Sequence, residues 1–352
     1  FSWSPATSRG GGTVVPLQCQ KIRASNFRTG LLSQASPRHQ LPWDRMDPVL
    51  HSDSCVYRTV EGHDLFADVH LPGRVERPPV MLWLHGGGMI FGSRRHLLEW
   101  QLQRYLDEGF AVVATDYRLA PEVGLEAIVG DVVEAHRWVT GAGAGQFELD
   151  GTRIALVGHS AGAYLALMAA CLVDPTPAAV VSFYGYGTLG EWARKPNHEY
   201  RNLFDLNEEA VTAAVGQQVT SDAAEWALDG RLGYYGLTRQ QGTWLSAVCG
   251  DGRERDAVWL EKFEPIRHLT DRFPPTLLLH GDADIDVPVE RSLEMADALA
   301  GLGVDHELIG HPESGHIFDM NKSDPPSPQP ERAESVAVDT LIQFMHSSFS
   351  ED

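Results

Sequence analysis

Short continuous apolar runs recur along the chain, and the stretches between them carry apolar residues every three to four positions. Residues 80–84, 111–115, 154–157, 178–183 and 276–279 are such runs and read as buried strands, and 304–309 reads as a further strand. Leu98, Leu102, Tyr105 and Leu106 share one face of a helix. So do Leu165, Met168, Ala169 and Leu172 within 161–173, and Val338, Leu341, Ile342 and Met345 near the end. Residues 128–139 are also helical, with Gly141 to Gly145 expected to break the helix. Residues 55–59 and 65–70 flank Glu61-Gly62-His63 and read as an opening antiparallel hairpin. Strands alternating with helices predict an α/β protein: a mostly parallel central sheet with helices on both faces. Ligands of such sheets bind beyond the carboxyl ends of the strands.

Two stretches depart from this alternation. About 90 residues separate Tyr184 from the next sheet strand, with Trp192, Trp226, Tyr234, Tyr235 and Trp244 among them and a helix-compatible stretch at 207–219. An insertion of this length at the mouth of a parallel sheet predicts a helical cap over about 185–272. Its aromatics either line a pocket or form the cap's own small core. Residues 1–45 hold six basic residues against one acid, are rich in Ser, Gly and Pro, and show no period. They read as a disordered basic leader, with a transit peptide as the alternative, and the main domain is placed at 46–352. The Pro- and Ser-rich segment 321–332 reads as a surface loop.

Composition narrows the function. The chain has 352 residues, 43% of them hydrophobic, and a formal net charge of -20. That charge disfavours a nucleic-acid partner. Cys19, Cys55, Cys171 and Cys249 form no C-x-x-C pair, which predicts reduced thiols in the cytoplasm, with organellar import through the leader as the alternative. No apolar run reaches the ~18 residues of a membrane span. The histidines are scattered and no H-E-x-x-H occurs, so neither a metal nor an organic cofactor is expected.

The chemistry concentrates at the ends of the strands. Gly158-His159-Ser160-Ala161-Gly162 is a G-x-S-x-G between a strand and a helix, a sharp turn that lifts a serine hydroxyl into the open. His85-Gly86-Gly87-Gly88 follows strand 80–84, and three glycines let a backbone turn its N–H groups toward a ligand. The His85 ring is expected to brace that loop rather than to react. Asp282, Asp284 and Asp286 follow strand 276–279, and each is a candidate to orient a histidine. His316 lies in Glu313-Ser314-Gly315-His316-Ile317-Phe318, with His311 and His306 as competitors. The chain order is Ser, Asp, His, as expected of a triad on a doubly wound sheet.

These motifs, together with Asp116-Tyr117-Arg118-Leu119-Ala120-Pro121-Glu122, make the chain resemble the α/β-hydrolase superfamily over roughly residues 55 to 347. Within it the likeness is to the hormone-sensitive-lipase-like, or alpha/beta hydrolase-3, esterase group. The resemblance implies Ser160 as nucleophile, His316 as base and Asp284 as the acid reached by His-Gly-x-x-Asp. It implies backbone N–H groups of Gly87, Gly88 and Ala161 as the oxyanion hole. Many members carry an acid before the nucleophile where this chain has His159, a variant similar to kynurenine formamidase-type and carboxylesterase-type relatives. The expected function is a serine esterase that cleaves small or medium carboxylic esters through an acyl-enzyme. An arylformamidase or other amide-cleaving tailoring hydrolase is the alternative. A non-catalytic receptor on the same fold is a third reading, disfavoured by the presence of Ser160, His316 and the carboxylate loop.

Overall fold

The apolar runs form one sheet of eight strands: β1 (His51–Val60), β2 (His63–Leu71), β3 (Val80–Leu84), β4 (Ala111–Thr115), β5 (Ile154–His159), β6 (Ala179–Phe183), β7 (Thr276–Gly281) and β8 (His306–His311). The computed structural model describes residues 51–73, 75–320 and 333–350. The strand order is β1-β2-β4-β3-β5-β6-β7-β8. The hairpin β1–β2 pairs antiparallel, as does β2 with β4, and every later pair is parallel. All five residues of β3 and of β4 are buried, as two-sided strands must be. Successive side chains leave a strand on opposite faces, so Leu82 enters one core layer and Trp83 the other.

Helices cover both faces. The layer holding Leu82 is closed by α2 (Leu125–Trp138), α4 (Ala161–Ala170) and α10 (Glu290–Leu302); α1 (Glu99–Asp107) and α11 (Ala333–Phe349) close the other. The short α3 (Ala144–Phe147) follows α2. Between β6 and β7 the chain forms α5 (His198–Leu203), α6 (Glu208–Ala213), α7 (Arg231–Gln241), α8 (Trp244–Cys249) and α9 (Ala257–Glu261).

The structure corrects the sequence reading in three places. All ten residues of α4 are buried and the helix stops at Ala170, so Leu172 lies past its end, 50% exposed. A helix enclosed on all sides has no polar face for periodicity to reveal. Gly141 does not end the α2 helix, because residues 139–143 form a π-helical turn that carries the chain into α3. The stretch 207–219 contributes only the six residues of α6, capped by the Asn207 side chain. The proposed leader 1–45, with Cys19, and the loop 321–332 lie outside the described residues. Cys55, Cys171 and Cys249 are free thiols. Among the described residues no helix is long and apolar enough to cross a membrane.

The segment after β4 is fixed by three ion pairs, the last of which reaches the insertion. Asp116 accepts from the Arg94 backbone N–H at 2.8 Å and pairs with its guanidinium. Arg118 grips the fully buried Asp131 with two hydrogen bonds, 2.7 and 2.8 Å. Glu122 takes a forked pair from Arg231 of α7, 2.9 and 2.8 Å.

Candidate active site

Ser160 stands at the end of β5 and just before α4, with φ 55° and ψ -116°. A non-glycine residue with positive φ stores strain, and here the strain turns the hydroxyl out of the strand-to-helix corner. The corner closes only because its flanks are small. A Cβ on Gly158 would sit 2.2 Å from the Gly162 carbonyl.

The Ser160 hydroxyl lies 2.9 Å from His316 Nε2, and His316 Nδ1 lies 2.7 Å from Asp284 Oδ2. The other Asp284 oxygen accepts the backbone N–H groups of Asp286 and Val287 at 2.8 and 2.9 Å. Burial raises the Asp284 carboxyl, but the His316 charge and hydrogen bonds from His280 and His316 outweigh it and hold it far below the usual carboxylate range. Burial lowers His316, and Asp284, through its charge and hydrogen bond, outweighs it with help from Asp286; the ring ends above its ordinary value.

The three aspartates of the loop hold three different partners. Asp282 accepts the Glu313 N–H at 2.6 Å and so steadies the His316 loop. Asp284 meets the His316 ring. Asp286 takes the Tyr235 hydroxyl at 2.9 and 2.7 Å and Arg239 Nε at 3.1 Å. Among the competing histidines, His306 bonds the Val304 carbonyl and His311 packs on Phe318.

The glycine loop crosses the elbow. A Cβ on Gly86 would come 3.4 Å from the Ser160 Cβ. Gly88 has φ 59°, and a Cβ there would strike the Tyr235 ring at 2.2 Å, so only glycine lets α7 close on the loop. Trp244 pins the same residue by donating Nε1–H to its carbonyl at 2.9 Å. His85 donates Nδ1–H to the Gly86 carbonyl at 2.7 Å and stacks on Tyr117 with 4.1 Å between centroids. Burial pushes His85 down to about 3, so it stays neutral and braces the loop, as expected from the sequence. Ala161 opens α4, where backbone N–H groups have no intrahelical partner and the helix dipole is positive.

One residue went unnoticed in the sequence. Asp319 is fully buried three positions after His316 and accepts from His159 Nε2 at 2.8 Å, Tyr184 Oη at 2.7 Å and Gln101 Nε2 at 3.0 Å. Burial raises Asp319, but the three donors, His159 foremost, outweigh it and hold the carboxyl below its usual value. The Tyr184 ring stands 4.6 Å from His316. His159, the residue before the nucleophile, therefore ties the nucleophile's strand to the histidine loop. The nearest sequence signal is an aspartate closing Gly-His-x-Phe-Asp.

Above these groups lies a cavity of about 390 Å³. Sheet loops supply its floor, and Tyr200, Phe204, Trp226, Leu232 and Tyr235 of the insertion supply its wall. Of the five aromatics read from the sequence, Trp226 and Tyr235 face the cavity. Trp192 and Trp244 pack on each other at 5.8 Å beside Tyr186, as the insertion's own core. Leu203, Trp226, Ile285 and Ile317 line the cavity and are exposed. Among the described residues no cluster of His, Cys, Asp and Glu is placed to hold a metal ion.

A family model described as BD-FAE matches residues 67–299. The chain is 27% identical over 353 residues to the non-reducing polyketide synthase ausA of Penicillium brasilianum, which spans 86% of this chain but 14% of the synthase. The chain thus covers about a seventh of the length of such curated relatives. An alpha/beta hydrolase superfamily protein from Enterococcus faecalis superposes with a TM-score of 0.66 at 20% identity, covering 85% of this chain and 100% of that one. The Pyrobaculum calidifontis esterase gives 0.63 at 22% identity, covering 85% and 86%. At such identities the likeness is one of fold, and the fold is that of the α/β-hydrolases.

Proposed function

The chain belongs to the BD-FAE family within the α/β-hydrolase superfamily, and we propose that it is a serine hydrolase cleaving a small or medium carboxylic ester. The observation that carries this reading is the unbroken line of hydrogen bonds from Ser160 through His316 to Asp284 at the floor of an apolar cavity. In the proposed reaction Ser160 Oγ attacks the acyl carbon while His316 Nε2 takes its proton. Asp284 holds the ring with Nδ1–H toward it and stabilises the imidazolium. N–H groups of Gly87, Gly88 and Ala161 receive the oxyanion, each typically supplying ~3 kcal/mol. The proton then passes from Nε2 to the leaving oxygen, and water cleaves the acyl-serine by the same route in reverse. The insertion acts as a cap that selects the acyl group.

A second reading changes only the leaving group. A thioester offers Ser160 the same acyl carbon with a sulfur leaving atom, and the match to relatives named non-reducing polyketide synthases prompts this comparison. A panel of p-nitrophenyl esters of graded acyl length, run beside the matching N-acetylcysteamine thioesters, separates the two. Ser160→Ala is expected to lower kcat for either substrate by on the order of 10⁶. A fluorophosphonate is expected to label the parent chain at Ser160 and not the variant. Labelling elsewhere, or an active variant, would end the assignment.

A further inference from the structure

We infer that Asp286 is an acceptor for the leaving group, fitted to an acyl compound whose leaving atom carries a proton: a secondary amide. The inference rests on the reading of Ser160 and His316 above and extends it to the far side of the scissile bond.

Asp286 lines the cavity with a side chain only 6% exposed, and its Oδ2 lies 3.6 Å from His316 Nε2. Nε2 is the atom that meets the Ser160 hydroxyl and, in the proposed reaction, protonates the leaving atom. The carboxylate is held from α7. Tyr235 donates its one hydroxyl proton, shared between the two oxygens, and Arg239 donates Nε–H to Oδ1 and Nη2–H to the Asp286 carbonyl at 2.7 Å. Arg239 is itself buried, its guanidinium 5.6 and 5.7 Å from the Trp192 and Trp244 rings. A carboxylate has about four lone-pair positions. Tyr200 of α5 is a further hydrogen-bond partner of this carboxylate, so Tyr235, Tyr200 and Arg239 Nε together leave one of the four positions to accept another donor.

An ester's leaving oxygen brings no proton to such an acceptor, whereas the nitrogen of a secondary amide does. Ser160 Oγ bonds to the acyl carbon as its proton moves to Nε2. Before the C–N bond breaks, the nitrogen lone pair must face Nε2–H, which swings the N–H aside. A carboxylate beside Nε2 receives that N–H while the nitrogen takes the proton, keeps the bonding electron pair and departs as a neutral amine. Water adds to the acyl carbon and gives a proton to Nε2, which returns it to Ser160 Oγ as the carboxylic acid leaves. Atoms and electrons balance without any further reactant.

The test compares kcat/KM of the whole chain for a p-nitroanilide and a p-nitrophenyl ester of the same acyl group. The wild type is expected to cleave both. In Asp286→Ala and Asp286→Ser the anilide-to-ester ratio is expected to fall about tenfold or more, the factor supplied by one hydrogen bond to a charged acceptor. If Asp286 merely anchors α7, both rates drop by one factor and the ratio stays, because both substrates meet the same folded fraction. An unchanged ratio, or a wild type that cleaves the ester and not the anilide, overturns the inference and leaves the serine-hydrolase reading intact. A wild type that cleaves neither and resists a fluorophosphonate overturns the reading itself.

Discussion

His316 sits between two carboxylates. Burial acts to lower its ring, and Asp284 with Asp286 lifts it above the ordinary imidazole value of ~6.5. Only the unprotonated ring can take the Ser160 proton, so activity is lost as pH falls through this raised value. The kcat/KM profile is therefore expected to show an acid limb with its midpoint above ~6.5; a midpoint below it would contradict the arrangement. Asp284→Asn is expected to cost about 10⁴ in kcat, because an amide facing Nδ1 favours the wrong tautomer. Asp282→Asn keeps an acceptor for the Glu313 N–H and is expected to cost far less. Steady-state rates of the two variants, measured side by side, decide whether the loop has been read in the right register.

The link between elements runs through Asp319, which joins the histidine loop to β5 through His159, to the end of β6 through Tyr184 and to α1 through Gln101. His159→Ala keeps Ser160, His316 and Asp284 but removes the tie that sets the nucleophile's strand against the histidine loop. A misplacement of about 1 Å costs on the order of 10² in rate. That loss is expected in kcat, with KM nearly unchanged; a loss confined to KM would make His159 a wall residue instead. This link was invisible in the sequence, since it joins positions 160 residues apart with no shared period. Strands were the most legible elements: β3 and β4 carry the bounds that their apolar runs predict, because a strand buried on both faces is almost continuously apolar. The elbow, the glycine loop and the Asp284 loop were legible because each follows such a strand, and the His316 loop was legible from its Gly-His-x-Phe setting. Less legible was α4, whose Ala, Gly, Leu and Met pattern has no polar side. The helix α10 was passed over, with Ser292, Met295, Ala296 and Leu299 forming its buried stripe.

At the scale of the molecule, stability and selectivity rest on different groups. The buried Arg118–Asp131 pair, joined by Arg58, is remote from the cavity lining. Breaking a buried pair by removing one partner strands the other charge and costs roughly 3–5 kcal/mol. Asp131→Ala is therefore expected to lower Tm by about 10 °C while the surviving folded enzyme keeps its KM. A thermal melt and a Michaelis curve on one preparation check both halves.

The cavity itself has two makers. Its floor is built by loops at the ends of sheet strands, and its wall by the helices between β6 and β7. On the proposed reading, reactivity and preference thus lie on separate stretches of one chain. A lineage can rewrite residues 185–272 and acquire a new diet while the reacting groups are passed on untouched. Gly88 and Asp286 are the exceptions, floor residues held from the insertion, the first through Trp244 and the second through Tyr235 and Arg239. There the two stretches are spliced, and a change in α7 or α8 reaches the chemistry.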